Sequence, residues 1–166
     1  MDVQIRALEK KDLEDFWEIR TQRKVCENTL GIPYTSKTSM EISFNKAFED
    51  KDRRELAAES NGKVLGFAGL FLLKGRRKHT AELGIMVNEN YTGKGIGTQL
   101  MEGLLDLADN WLNIRRIQLE VYTDNLPAIR LYKKFNFKIE GLIRDLSYRT
   151  GKYIDGYLMA RIKKEP

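Results

Sequence analysis

Between Leu83 and Val87 the chain is apolar, and from Ile96 onward apolar residues recur at helical spacing. The join between the two segments is Gly93-Lys94-Gly95-Ile96-Gly97-Thr98. Three glycines within five residues carry a conformational-entropy cost that a plain turn does not require. Placed at the mouth of a helix, they leave several backbone N–H groups pointing outward with no side chains in the way, which suits a phosphate-bearing ligand. Two familiar phosphate loops are excluded by residue identity. A Walker A loop needs Gly, four residues, then Gly-Lys-Ser/Thr, but Gly93-Lys94 is followed by Gly95 and the earlier glycine position is Asn88. A dinucleotide fingerprint needs Gly-x-Gly-x-x-Gly, and here the spacing is wrong and position 98 is Thr.

The remaining elements follow from periodicity. Gln4 to Leu8 alternates as a strand, and Asp12 is placed to cap a helix carrying Leu13, Phe16, Trp17, Ile19 and Arg20. Asn28 to Ser36 reads as a loop, and Ser39 to Phe48 as a second helix. Arg54–Glu59 and Lys63–Leu73 form a hairpin across Asn61-Gly62. Thr80–Asn88 is a central strand, and after the glycines Leu100, Met101, Leu104, Leu105, Ala108, Trp111 and Leu112 predict an amphipathic helix. Arg116–Tyr122 is a strand, and Pro127–Phe135 is a short helix with Pro in its first turn. Phe137–Tyr148 and Tyr153–Ile162 are strands around Thr150-Gly151-Lys152. The order β-α-α-β-β-β-α-β-α-β-β predicts an α/β (α+β) fold in one domain over 1–166. It is a mixed, mostly antiparallel sheet of six to seven strands flanked by about four helices.

Composition narrows the function. One cysteine, Cys26, and one histidine, His79, exclude an internal disulfide and a structural zinc site and disfavour a catalytic metal. No apolar run approaches a membrane span. Met1-Asp2-Val3 lacks a basic-then-apolar signal pattern, so a cytoplasmic location is expected. The net charge of +5 is spread along the chain, and its densest cluster, Lys74 to Lys78, reads as a solvated turn. The charge therefore fits a field that draws in a polyanionic cofactor, and no nucleic-acid or membrane partner is expected.

The segment Met86 to Thr98 resembles the pyrophosphate loop of the GNAT superfamily of acyl-CoA-dependent N-acetyltransferases, with Gly95 and Gly97 in place and Thr92 where an Arg or Gln is usual. Asn125-Leu126-Pro127-Ala128-Ile129-Arg130-Leu131-Tyr132-Lys133-Lys134-Phe135-Asn136-Phe137 resembles the second half of the signature, with Asn136 replacing a glycine. Asn accepts the left-handed helix-ending conformation needed there.

The resemblance implies acetyl-CoA as cofactor and direct acetyl transfer to an amine through a ternary complex. It assigns Ile85, Met86 and Val87 to pairing with the pantetheine arm, and an N–H there to polarising the thioester oxygen. It assigns Thr92, Gly93, Lys94, Gly95, Ile96, Gly97 and Thr98 to the pyrophosphate, and Asn125, Ala128, Leu131, Tyr132 and Lys134 to the far side of the cofactor. Tyr132 is the expected general acid and Glu82 the expected general base, with His79, Asp155 and Glu120 as weaker candidates. Glu82 shares a strand face with Gly84 and Met86.

The acceptor is expected among Asn28, Thr29, Leu30, Tyr34, Tyr122, Tyr148 and Tyr157. That mixture of aromatic and neutral polar groups suits a small, partly apolar amine. Patches at Asn28–Pro33, Asp109–Leu112 and Gly151–Arg161 look similar to a bacterial subgroup that includes enzymes acetylating the α-amino group of free amino acids. A protein N-terminal acetyltransferase and a non-catalytic acyl-CoA-binding module are the alternatives, and a homodimer is possible.

Overall fold

The computed structural model describes residues 2–163, so the expected domain bounds of 1–166 reach past it at both ends. The elements are β1 (Gln4–Ala7), α1 (Leu13–Thr21), α2 (Arg23–Asn28), α3 (Lys37–Glu49), β2 (Arg53–Ser60), β3 (Lys63–Leu72) and β4 (Thr80–Val87), then α4 (Ile96–Asp106), β5 (Arg116–Tyr122), α5 (Leu126–Lys134), β6 (Lys138–Arg149) and β7 (Lys152–Ile162). The strands form one sheet in the order β1-β2-β3-β4-β5-β7-β6. Every neighbouring pair is antiparallel except β4–β5. This is the mixed α/β architecture the sequence predicts.

Side-chain alternation divides the core into two layers. On one face Ala58, Ala68, Leu70, Leu83 and Leu119 pack under Ile96, Leu100, Met101 and Leu104 of α4 and Ile129 of α5. On the other, Ala57, Val64 and Phe67 pack against Ile19 of α1 and Phe44 of α3. A Cβ at Gly103 would lie 3.1 Å from Leu56 and 3.2 Å from Ile5, so its absence lets α4 lie close on β1 and β2. In the β2–β3 hairpin Asn61 and Gly62 both have positive φ, 52° and 77°, the backbone that an Asn-Gly turn predicts. Asn136 takes φ 65°, as its replacement of a glycine requires.

Two local expectations are corrected. The first helix stops at Thr21 and a separate α2 follows, giving five α-helices among the described residues and placing Cys26 on the second. The break falls at Gln22, whose backbone is extended. Its side chain donates to Asn88 Oδ1 (3.0 Å) and accepts from the Glu89 N–H (2.9 Å), a long-range clamp that outweighs helix continuity. Asp12 makes no cap hydrogen bond to α1; its carboxylate instead receives both terminal nitrogens of Arg6, each at 2.8 Å.

The feature that positions the site lies between β4 and β5. The two strands pair only through Thr80–Arg116, Ala81–Ile117 and Glu82–Gln118. Beyond that point β4 continues to Val87 and β5 to Tyr122 with no pairing between them, so the sheet opens as a fork. No described helix is long and apolar enough to cross a membrane.

Candidate active site

A cavity of about 980 Å³ occupies the fork. Its backbone chemistry follows from register. Asn88 N donates to Leu65 O and Leu73 N donates to Thr80 O, so alternate residues of β4 are the ones bonded to β3. Ile85 and Val87 therefore turn their N–H and C=O groups toward the open side, where β5 has parted from them. An extended chain bearing amide groups can add there as a strand would.

At one end of the cavity β4 runs into the glycine loop. Gly93 and Gly95 have φ of 75° and 83°, and nothing lies within 4 Å of a Cβ built on either. Gly95 caps α4 in the left-handed conformation, and the first intrahelical bond is from Gln99 N to Gly95 O (3.1 Å). The N–H groups of Ile96, Gly97 and Thr98 thus precede the helix ladder, and the first turn holds no acidic residue. A Cβ at Gly97 would stand 3.2 Å from Leu131 of α5, on the cavity wall. An uncovered, acid-free helix entrance beside a bare glycine surface fits a pyrophosphate. The loop is fixed from behind by Asn88, which is 1% exposed and accepts from Gln22 and from Asn90 N.

Most predicted cofactor residues line this cavity: Ile85, Met86, Val87, Thr92, Gly93, Gly95, Ile96, Gly97, Thr98, Asn125, Ala128, Leu131 and Tyr132. Lys94 and Lys134 do not; their ammonium groups lie 4.7 Å and 5.7 Å from the rings of Tyr91 and Phe135. Thr92 donates its hydroxyl to Glu89 O (3.1 Å), and Asn125 caps α5 by accepting from Ala128 N (3.3 Å). Tyr132 is buried in α5 with its ring 5.9 Å from Phe137, and its hydroxyl has no protein hydrogen-bond partner among the described residues. Burial holds its phenol well above the usual tyrosine range.

The predicted base falls elsewhere. Glu82 is on the expected strand face but sits at the apex of the fork, exposed, with Gln118 Nε2 3.4 Å away, and it does not line the cavity. Glu120, two residues farther along β5 on the same face, does line it and has no hydrogen-bond or ion-pair partner among the described residues. His79 is exposed, and Asp155 uses its carboxylate to accept from Asp145 N (2.9 Å).

Of the predicted acceptor residues, Asn28, Thr29, Leu30 and Tyr122 line the cavity. Tyr122 ties its two sides together, its hydroxyl lying 3.1 Å from Thr29 O, to which it donates, and 2.9 Å from Ser147 Oγ. Tyr34 is 97% exposed, and Tyr148 packs on Tyr153 at the exposed end of the β6–β7 hairpin. Tyr157 pairs with Val121, one residue out of phase with Tyr122, so it faces the helix-side core. The sequence reading missed Phe16 and Arg20 of α1, Arg53 and Glu55 of β2, Phe67 and Phe71 of β3, and Leu146 of β6. Their period-two and helical spacing reads as ordinary strand and helix, and nothing local marks that these four elements meet at the fork. Leu146 is held over Gly156, where any Cβ would come within 2.2 Å of its Cδ2. Cys26 is buried, donates to Arg20 O (3.2 Å) and has its thiol pushed up by burial, which marks it as structural.

Known proteins share this arrangement. Residues 10–137 match the family model described as Acetyltransferase (GNAT) family. The chain is 35% identical over 164 residues to the L-amino acid N-acetyltransferase AaaT of Escherichia coli (strain K12), covering 98% of this chain and 99% of that protein. It superposes with a TM-score of 0.82 and 31% identity on a GNAT-family acetyltransferase from Streptococcus pneumoniae, covering 98% and 100% of the two chains. With the Vibrio cholerae spermidine N-acetyltransferase, solved in complex with CoA and spermine, the TM-score is 0.87 at 27% identity over 96% and 95% of the chains. The forked sheet, the glycine-bounded helix entrance and a family match over most of the chain converge: this protein belongs to the GNAT acetyltransferase family and is an N-acetyltransferase that uses acetyl-CoA.

Proposed function

We propose that the protein transfers the acetyl group to the primary amine of a small molecule, with the α-amino group of a free amino acid as the preferred class. The observation that carries this reading is that Tyr132, Glu120 and the unpaired β4 edge line one cavity, flanked by residues of α1 and α2 and by Leu146. The aromatic and neutral polar lining at its acceptor side, from Asn28, Thr29, Leu30 and Tyr122, suits a small, partly apolar amine.

Acetyl-CoA, when bound, supplies the acetyl group as a thioester. The N–H groups of Ile96, Gly97 and Thr98 would hold its pyrophosphate, and the free edge of Ile85 and Val87 would pair with the pantetheine amides. An N–H of that edge polarises the thioester oxygen. The Glu120 carboxylate accepts a proton from the ammonium or, through water, from the attacking amine. As the nitrogen–carbon bond forms and the carbon–sulfur bond breaks, the Tyr132 hydroxyl supplies a proton to the departing sulfur.

The test is a thiol-release assay with acetyl-CoA and a panel of free amino acids, polyamines, aminoglycosides and peptides. Turnover concentrated on free amino acids is the expected result. Turnover on peptide N-termini alone, or cofactor binding with no turnover on any amine, overturns the reading.

A further inference from the structure

We infer that Arg20 is the anchor for a carboxylate on the acceptor, and hence that this enzyme selects amines carrying a nearby carboxylate and rejects polyamines. The inference rests on the small-amine reading above and adds the group that recognises the substrate.

Arg20 stands out by what it lacks. Five other half-buried arginines each meet a carboxylate: Arg6 with Asp12 and Glu59, Arg53 with Glu55, Arg116 with Glu140, Arg149 with Asp124 and Arg161 with Asp109. Arg54 bonds backbone carbonyls. Arg20 has no side-chain hydrogen bond or ion pair among the described residues; its guanidinium lies 5.6 Å from the centre of the Phe16 ring. Burial lowers its proton affinity from the ordinary arginine value, the sign of a charge taken out of water. A guanidinium stays charged at neutral pH all the same, and Glu55, the carboxylate that acts on it through space, is already paired with Arg53, so the desolvated charge is costly.

Geometry gives that cost a use. Arg20 lines the main cavity and also a smaller one of about 160 Å³ behind it, where Arg53 and Glu55 share the wall. Arg53 is already neutralised by Glu55 at 2.7 Å and stacks 4.7 Å from the Phe71 ring, so it offers little charge to a ligand. The Arg20 backbone is pinned by the Cys26 thiol (3.2 Å), which fixes where its side chain starts. Across the cavity the acidic side chains are Glu55, Glu89 and Glu120. Glu55 is paired and Glu89 accepts from Lys24 N (3.2 Å), leaving Glu120 as the one without a partner among the described residues. Lys24 also lines the cavity but is exposed, so Arg20 is the half-buried cation there without an ion pair among the described residues, and together with Glu120 it complements an amino acid, which carries an amine and a carboxylate. A polyamine has only positive charges to offer Arg20.

The experiment compares L-leucine, L-leucinamide and spermidine as acceptors in wild type, Arg20→Met and Arg20→Gln. Wild type is expected to prefer leucine over leucinamide by about 10- to 100-fold in kcat/KM, mainly through KM, the span of a charge-assisted hydrogen bond. The amide's amine is the less basic and is therefore the more deprotonated at neutral pH, so a preference for leucine runs against the supply of free amine. Both variants should bring the ratio close to one by raising the KM for leucine, while the KM for acetyl-CoA keeps its wild-type value. A wild-type ratio near one, an unchanged ratio in the variants, or faster turnover of spermidine overturns the proposal. Calorimetry with N-acetyl-leucine and its amide, on CoA-loaded enzyme, reads carboxylate recognition without turnover. Absence of all turnover therefore counts against the acetyl-transfer reading, and absence of the calorimetric preference counts against Arg20.

Discussion

Replacing Tyr132 with Phe separates chemistry from folding. The ring is 6% exposed and packs on Phe137, and both features survive the substitution. The hydroxyl has no protein partner among the described residues, so its removal orphans no donor or acceptor. The stability change should stay within about 0.5 kcal/mol in a urea melt. The catalytic cost is set by proton delivery. General acid catalysis contributes roughly 10²- to 10⁴-fold, or about 2.7–5.4 kcal/mol at about 1.36 kcal/mol per tenfold. Burial holds this phenol above the usual tyrosine range, so it is a poorer acid in the cavity than in water. A thiol with an ordinary pKa of roughly 8.5 is then mismatched to it, which points to the lower end of that range, about 100-fold in the rate of the chemical step. Single-turnover thiol release across pH 6–9 is the appropriate assay, because slow product release can hide the step in kcat. The raised phenol also predicts that its ionisation contributes no descending limb over that range. A Tyr132→Phe rate within twofold of wild type across pH, with folding intact, would refute the acid role.

Two further predictions concern carboxylates. Glu120→Gln should lower kcat/KM by about 10²- to 10⁴-fold in a pH–rate profile, whereas Glu82→Gln should change it several-fold at most; the reverse order would return the base to Glu82. Asp12→Asn tests the ion pair at the edge of the sheet. Burial pushes this carboxyl up, but two Arg6 hydrogen bonds and one from Glu9 N outweigh it, leaving it below the usual aspartate range. A depressed folded value stabilises the native state above about pH 4, the unfolded carboxyl's range, and that contribution is lost as pH falls through the folded value. Urea melts should show Asp12→Asn less stable by about 2–4 kcal/mol at pH 7, with the gap closing in acid.

Local signals carried the fold a long way because most elements are held by contacts near in sequence or by plain alternation. The Asn-Gly hairpin, the Pro-led α5, the left-handed Asn136 and the glycine-capped α4 each follow from residue chemistry at the position itself. The break at Gln22 does not. It exists because Asn88 and Glu89, more than 60 residues away, take up the Gln22 side chain. The same clamp joins α2 to the glycine loop, so the acceptor and cofactor ends of the cavity are braced by one side chain that no periodicity marks.

The fate of the two glutamates shows what strand parity can and cannot convey. Alternation places Glu82, Gly84 and Met86 on one face, and the register carries Gln118, Glu120 and Tyr122 onto the same face of β5. Parity therefore identifies the surface from which Glu120 and Tyr122 reach the cavity. It is silent on depth, because depth depends on where two parallel strands stop pairing. That point is Glu82–Gln118, and it leaves Glu82 at the apex while Glu120 projects beside the open cleft. The divergence is a property of the whole sheet: β5 is drawn toward β7 through seven paired residues, whereas only three hold it to β4. A carboxylate two residues past a fork gains access that one at the fork cannot have, and Arg20 on α1 acquires its position by the same means, from an element laid across the opening. In this chain one end of the cavity is written in the glycine loop, and the other is made by the parting of β4 from β5.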